Sequence, residues 1–162
     1  EHPTLVTIVK QAIQKHQIPP DCLHLEVTES IIMHDRKTSI ETLNQLKKLG
    51  VHIDVDDFGT GYSSLSCLGD FPIDVLKLDR EFIKKSDRSR EVMLIHALII
   101  LAEKLGLEVI AEGIETPEQL ALLRKLGCGY GQGFFFSKPL SAEDVALSIL
   151  NANWNTPHLT IV

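Results

Sequence analysis

The chain has 162 residues, of which 44% are hydrophobic and 23% are charged, which is typical of a globular protein with its own core. Its formal net charge of −6 argues against a basic face that grips long nucleic acid. A small phosphate ligand stays open, because bound metal ions can reverse the local charge.

The cysteines and histidines give no sign of a disulfide framework or a zinc site. The three cysteines are far apart, and none of the seven histidines forms a spaced metal-binding pair. No signal sequence is recognisable, and the longest apolar stretch, "VMLIHALIILA", is too short to span a bilayer. We therefore expect a cytoplasmic protein, whose membrane anchoring, if any, would come from other segments of the parent protein.

The first half of the chain alternates between helix and strand patterns. Residues 4–16 carry apolar side chains at helical spacing, and "IPPD" ends this predicted helix. "LHLEVTE" predicts a strand, and residues 37–49 predict an amphipathic helix that ends at Gly50. "VHIDV" predicts the second strand.

The second half continues this alternation. A helix over 116–127 is predicted from Thr116 as N-cap, Pro117 at the first position and Gly127 at the end. The other predicted elements are, in chain order, a short helix "YSSLSCLGDF", a strand "IDVLKLD", a helix over 88–105, a strand "LEVIAEG", a strand "GQGFFF" and a helix "SAEDVALSIL".

Alternating strands and helices predict a parallel sheet, either open or closed into a barrel. Polar groups stand at the carboxyl ends of successive predicted strands, where (β/α)8 barrel enzymes build their sites. About five strand–helix units can be counted, whereas such a barrel typically has ~250 residues. We expect the remainder to precede residue 1 or to come from another chain. The polar groups are Glu26, Glu29, Asp56, Asp57, Lys77, Asp79, Glu112, Glu115 and Gln132.

Several carboxylates around one opening raise each other's pKa unless a cation lies between them. Oxygen ligands suit Mg2+, Mn2+ or Ca2+ rather than zinc. The adjacent Asp56 and Asp57 could serve two ions ~4 Å apart, as in in-line attack on phosphodiesters, and Lys77 could add a positive charge. Each acid alone is as well explained by a helix cap or a surface ion pair, and Asp54 is left unassigned.

Six phrases between about residues 20 and 150 resemble EAL domains, which are bacterial phosphodiesterases of cyclic di-GMP. They are "LEVTES", "DVDDFGTGYSSL", "FPIDVLKLDREFI", "VIAEGIET", "EQL" and "GCGYGQGFFFSKPL". The resemblance implies a TIM-like (β/α)8 barrel that hydrolyses cyclic di-GMP to linear pGpG with two Mg2+ or Mn2+ ions. On this basis we expect one domain over 1–162, with 151–162 as a C-terminal tail.

The resemblance also implies a role for each matched residue. Asp56 would bridge the two metal ions, Lys77 would contact the hydrolytic water, and Gln132 would line the site. The metal ligands would be Glu26, Asp56, Asp57 and Glu112. The catalytic groups would be Lys77, Asp57 and Glu112. The loop after the Asp pair would be stabilised by Glu29, Glu115, Gly59, Thr60 and Gly61.

The Glu-Ala-Leu motif that names the family does not occur in the chain. The family's arginine after that motif and its metal-binding asparagine would also precede residue 1. We therefore expect an N-terminally truncated EAL domain that is inactive alone, in a parent protein with an upstream sensory or cyclase domain. Its open sheet edge favours a homodimer.

Two other functions stay open at this point. One is a non-catalytic module that binds cyclic di-GMP or mediates protein interaction and dimerisation. The other is a different metal-assisted barrel enzyme, such as one acting on an enolisable acid, which the length of the matched phrases disfavours.

Overall fold

The computed structural model describes residues 5–59, 65–86, 88–151 and 160–161. The chain divides into two compact units, which are described separately. The first comprises Glu1–Lys77 with Lys104–Leu107, and the second comprises Leu78–Glu103 with Glu108–Val162. The expected single domain over 1–162 stays a prediction.

The first unit alternates helices with parallel strands. Its strand order is β1-β2-β3, and its two short 3-10 helices are Pro20–Cys22 and Leu65–Asp70. The elements are α1 (Leu5–His16), β1 (His24–Thr28), α2 (Glu29–His34), α3 (Arg36–Lys47), β2 (His52–Phe58) and β3 (Val75–Leu78), the last residue of which falls in the second unit.

The two faces of the β1–β2 pair differ in polarity. The strands run parallel from His24 opposite His52 to Thr28 opposite Asp56. Ile53 and Val55 are fully buried on one face, as expected for a parallel sheet covered by helices. Helix α3 packs against β2, and the other face of the strand pair carries the polar side chains.

An ion pair ties the end of α3 to the segment before β3. The Lys47 ammonium lies 2.7 Å from each carboxylate oxygen of Asp74. Asp74 Oδ2 also accepts a hydrogen bond from the Ile53 N–H at 2.8 Å. This contact fixes the entry into β3 and hence the position of Lys77, three residues further along the chain.

The second unit repeats the alternation with shorter strands. Strands β4, β5 and β6 are parallel in chain order, with Ala111 opposite Gly131 and Gly131 opposite Ile161. The elements are α4 (Arg80–Lys84), α5 (Ser89–Leu105), β4 (Glu108–Ala111), α6 (Pro117–Lys125), β5 (Tyr130–Gly131), α7 (Ala142–Asn151) and β6 (Thr160–Ile161).

The predicted strand "GQGFFF" is wrong for most of its length. Strand β5 covers only Tyr130–Gly131, and the chain then turns, with the Phe136 N–H donating to the Gly133 carbonyl at 3.0 Å.

Helix α4 was not predicted. It begins after Asp79, whose side chain accepts from the Glu81 N–H at 2.7 Å as an N-cap.

Two boundaries differ in the first unit. Glu29 begins α2 instead of ending β1, and β2 continues through Asp56 and Asp57 to Phe58. The predicted short helix is a 3-10 helix where it is described, and residues 62–64 lie outside the described residues. Helices α1, α3, α5, α6 and α7 agree with the predicted segments to within a few residues.

The described strands number six, and none of the described helices is long and apolar enough to cross a membrane. The β1–β2, β4–β5 and β5–β6 pairs are all parallel. The predicted α/β class with parallel strands is therefore confirmed.

Helix α6 offers a stability test, because Thr116 and Gln119 form a reciprocal capping box. The Thr116 hydroxyl accepts from the Gln119 N–H at 3.3 Å, and Gln119 Oε1 accepts from the Thr116 N–H at 3.1 Å. We expect Thr116→Ala to lower the free energy of unfolding by about 1 kcal/mol, measured by urea denaturation. Thr116→Ser keeps the capping oxygen and should cost much less; equal losses in the two variants would contradict the capping role.

Candidate functional site

The first unit places a buried lysine between two carboxylates. Lys77 lies on β3 with only 5% of its side chain exposed. Its ammonium is 2.7 Å from Glu26 Oε1 on β1 and 3.2 Å from Asp56 Oδ1 on β2. Three of the predicted site residues, from three strands, thus form one charged cluster. Such a buried ammonium is tolerated because its charge is paired.

Asp56 carries an unsatisfied oxygen in this cluster. Its Oδ1 is buried and accepts no hydrogen bond from the described residues, although the Lys77 charge is close by. A buried carboxylate oxygen without a hydrogen bond is costly unless a cation completes its environment. The oxygen donors of Asp56 and Glu26 fit a hard divalent cation. Within the part of the chain that the structure describes, no three acidic, histidine or cysteine side chains could by themselves hold one ion.

Asp57 differs from Asp56 in both exposure and backbone. Its side chain is exposed, and its φ of +55° lies in the left-handed region. Aspartate is among the few residues other than glycine that occupy this region at small cost, because its short side chain can form local hydrogen bonds. The turn of the backbone directs the two adjacent carboxylates into different surroundings.

Glu29 anchors the end of β2. It is buried, with 6% exposure, and its Oε2 accepts a hydrogen bond from the Gly59 N–H at 3.0 Å. Gly59 has a φ of +91°, which favours glycine. The loop-stabilising role predicted for Glu29 and Gly59 fits this contact, while Thr60 and Gly61 lie outside the described residues.

The second unit places Glu112 and Gln132 in direct contact. Gln132 Nε2 donates to Glu112 Oε1 at 2.7 Å. Backbone bonds fix both residues, because the Glu112 N–H donates to the Leu78 carbonyl at 3.1 Å and the Gln132 N–H to that of Ala111 at 2.9 Å. Each residue directly follows its strand, whereas the predicted strands "LEVIAEG" and "GQGFFF" included Glu112 and Gln132.

These two residues line a cleft of about 440 Å3. The cleft carries positive charge from Arg80 and Lys138 next to the carboxylates of Glu112 and Glu115. The Glu115 N–H donates to Gln119 Oε1 at 2.8 Å, and the loop-stabilising role of Glu115 stays a prediction. The remaining lining residues are Gly113, Gly133, Phe134, Phe136, Ser137 and Pro139.

The first unit contains a second polar group, in which Asp54 had been left unassigned from the sequence. His24 Nδ1 lies 3.0 Å from both carboxylate oxygens of Asp54, and its ring stacks on that of His52 with centroids 4.6 Å apart. Burial raises the pKa of the Asp54 carboxyl, and the His24 hydrogen bond opposes this shift. The signal was present, since "HLEVT" and "HIDVD" both place polar residues at every second position.

Comparisons with known proteins agree on one family. A family model described as the EAL domain matches residues 1–139. The cyclic di-GMP phosphodiesterase NbdA of Pseudomonas aeruginosa is 46% identical over 138 residues, which are 85% of this chain and 18% of NbdA.

Solved structures confirm the predicted α/β fold class of the EAL type. The MucR phosphodiesterase of Pseudomonas aeruginosa, in complex with c-di-GMP, has a TM-score of 0.85 and 43% identity, covering 89% of this chain and 59% of that one. BlrP1 of Klebsiella pneumoniae, in a manganese and c-di-GMP complex, has a TM-score of 0.81 and 32% identity, covering 86% of this chain and 36% of that one. The chain thus spans only part of each protein it matches.

Gly133 gives a test of how the cleft is built. A methyl group at this position would overlap the backbone of Ile114, whereas one at Gly129 would meet no described atom within 4 Å. We expect Gly133→Ala to lower the free energy of unfolding by about 1–3 kcal/mol through overpacking, measured by urea denaturation. Gly129→Ala is the matched control and should be close to neutral; equal stability of the two variants would contradict the steric argument.

Proposed function

Because the chain belongs to the EAL domain family, we propose that it is part of a phosphodiesterase that hydrolyses cyclic di-GMP to linear pGpG. The names of NbdA and MucR support the reaction and the substrate. The match covers 139 of the 162 residues, so the proposal concerns nearly all of this chain.

The observation that carries the proposal is the Lys77 cluster. Its buried ammonium lies within 3.2 Å of two carboxylates from neighbouring strands, and the packing of these strands alone does not require such a charged cluster. Phosphodiester hydrolysis needs cationic groups around a phosphate that gains negative charge, and an oriented water molecule. In our proposal Lys77 supplies a fixed positive charge and orients the attacking water.

The acids would hold two divalent ions, for which we propose Mg2+ or Mn2+. Glu26, Asp56, Asp57 and Glu112 are the proposed ligands, and the unsatisfied Oδ1 of Asp56 is the oxygen best suited to a cation. When bound, such ions lower the pKa of water and neutralise phosphate charge. The manganese in the BlrP1 complex supports a divalent metal.

Other residues would orient the metal-binding acids. The hydrogen bond from Gln132 would orient the Glu112 carboxylate. Glu29, through Gly59, would hold the backbone that follows Asp57. The Glu-Ala-Leu motif is absent from these 162 residues, so we propose that hydrolysis requires the parent protein.

The two aspartates give the sharpest test of this function. In the parent protein with Mn2+, we expect Asp56→Asn and Asp57→Asn each to lower the rate of pGpG formation by about 100-fold or more, because each removes a proposed metal-binding carboxylate and so weakens the hold on the cations that stabilise the reacting phosphate. Product formation is followed by chromatography. The control Asp21→Asn removes one exposed charge from the first unit and should leave the rate unchanged.

Two outcomes would contradict the proposal. Full activity of Asp56→Asn and Asp57→Asn would exclude the metal-ligand role of these aspartates. A parent protein that binds cyclic di-GMP but never yields pGpG would instead be a binding module. Assaying the 162 residues alone, beside the parent protein, tests whether they are sufficient.

A further inference from the structure

One face of the β1–β2 pair is polar along its whole length. The residues opposite each other on this face are His24 and His52, Glu26 and Asp54, and Thr28 and Asp56. Strands of a parallel sheet are usually apolar on both faces, as the buried Ile53 and Val55 are on the other side. His24 and Asp54, which lie towards the start of the two strands, have no role in the function proposed above.

Asp54 is the most deeply buried acid of this face. Only 3% of it is exposed, compared with 54% of the Glu26 side chain directly opposite. His24, a diagonal neighbour on β1, places Nδ1 at 3.0 Å from both carboxylate oxygens. This symmetric contact suits an N–H that donates to an ionised carboxylate, so the ring holds the Asp54 charge in one orientation.

The charge of Asp54 acts on the neighbouring cluster. Asp54 stands directly opposite Glu26 and two residues before Asp56 on the same face, so it neighbours both acids that contact the Lys77 ammonium. A further buried carboxylate at this position adds to the attraction that the ammonium feels. A lysine side chain has four flexible bonds, and its ammonium needs attraction from more than one side to keep a single position.

We propose that Asp54 is a positioning residue for Lys77, with His24 holding the Asp54 carboxylate in place. Asp54, oriented by His24, adds a carboxylate to the face that carries the Lys77–Glu26–Asp56 cluster and restricts where the ammonium can lie. This inference rests on the proposed function only where it takes Lys77 to orient the attacking water.

A direct test observes the Lys77 ammonium itself. In the 162-residue chain, 15N-labelled lysine gives an NMR signal for an ammonium whose protons exchange slowly, and Lys77→Met assigns that signal. We expect Asp54→Asn to accelerate proton exchange at Lys77 by about tenfold, the usual size of losing a supporting partner behind a functional group. His24→Phe, which keeps a ring but removes the N–H, should accelerate it in the same direction.

The Lys47–Asp74 pair serves as an internal reference for Asp54→Asn only, because Asp74 Oδ2 lies 3.8 Å from Nδ1 of His52, on whose ring His24 stacks. Asp21→Asn is the matched control, since it removes one negative charge at an exposed position. Unchanged exchange at Lys77 in Asp54→Asn would overturn the proposal. Equal acceleration at Lys77 and Lys47 would also overturn it, because that result indicates general loosening. The absence of a slowly exchanging Lys77 signal in the unaltered chain would show that the ammonium is not held at all.

Hydrolysis by the parent protein separates this inference from the function itself. If Asp54 positions Lys77, Asp54→Asn should lower kcat about tenfold with little change in KM, since Lys77 acts on the reacting water. An unaltered parent protein without hydrolysis would contradict the proposed function, while faster exchange at Lys77 in Asp54→Asn would still support the positioning role.

Discussion

A single buried ammonium organises the polar half of the first unit. Lys77 pairs with Glu26 and Asp56, so it neutralises acids contributed by two different strands. Without this cation, the parallel strands would bring their carboxylates together with no compensating charge. The compensation is incomplete, since one Asp56 oxygen stays without a hydrogen bond from the described residues.

The other face of the same strands provides the rigidity that this arrangement requires. Ile53 and Val55 are fully buried, and α3 packs against their strand. The Lys47–Asp74 pair then fixes the segment that leads into β3. Alternate residues of β2 thus have different roles. The apolar side chains anchor the strand in the core, and the intervening acids face the Lys77 cluster. A shift of the register by one residue would exchange the two sets, so the hydrophobic core also fixes the position of the charges.

The sequence predicted most helices and the parallel strand pairing, because their signals are local: apolar spacing, caps and glycine stops. Thr116 with Pro117 and Gln119 is such a signal, and the capping box is present. Helix α4 escaped prediction because it has only five residues, too few for a periodic pattern. A strand was predicted over "GQGFFF", yet the chain turns at Gly133 against the backbone of Ile114, a constraint that no local pattern encodes. The site acids were recognisable from their positions at the carboxyl ends of the predicted strands, whereas the contact between His24 and Asp54 depends on the register of two strands distant in sequence.

The left-handed backbone of Asp57 limits which mutations can report on its charge. A single base change in an aspartate codon leads to Asn, Gly, Ala, Val, Tyr, His or Glu. Of these, Gly and Asn occupy a positive φ most readily, while a β-branched residue such as Val is strained there. Random mutagenesis will therefore return mostly variants in which the charge and the backbone change together. Only the Asn and Gly variants remove the carboxylate without straining the backbone. A genetic screen of this position therefore reports on the charge alone in those two variants, and on the charge and the backbone together in the others.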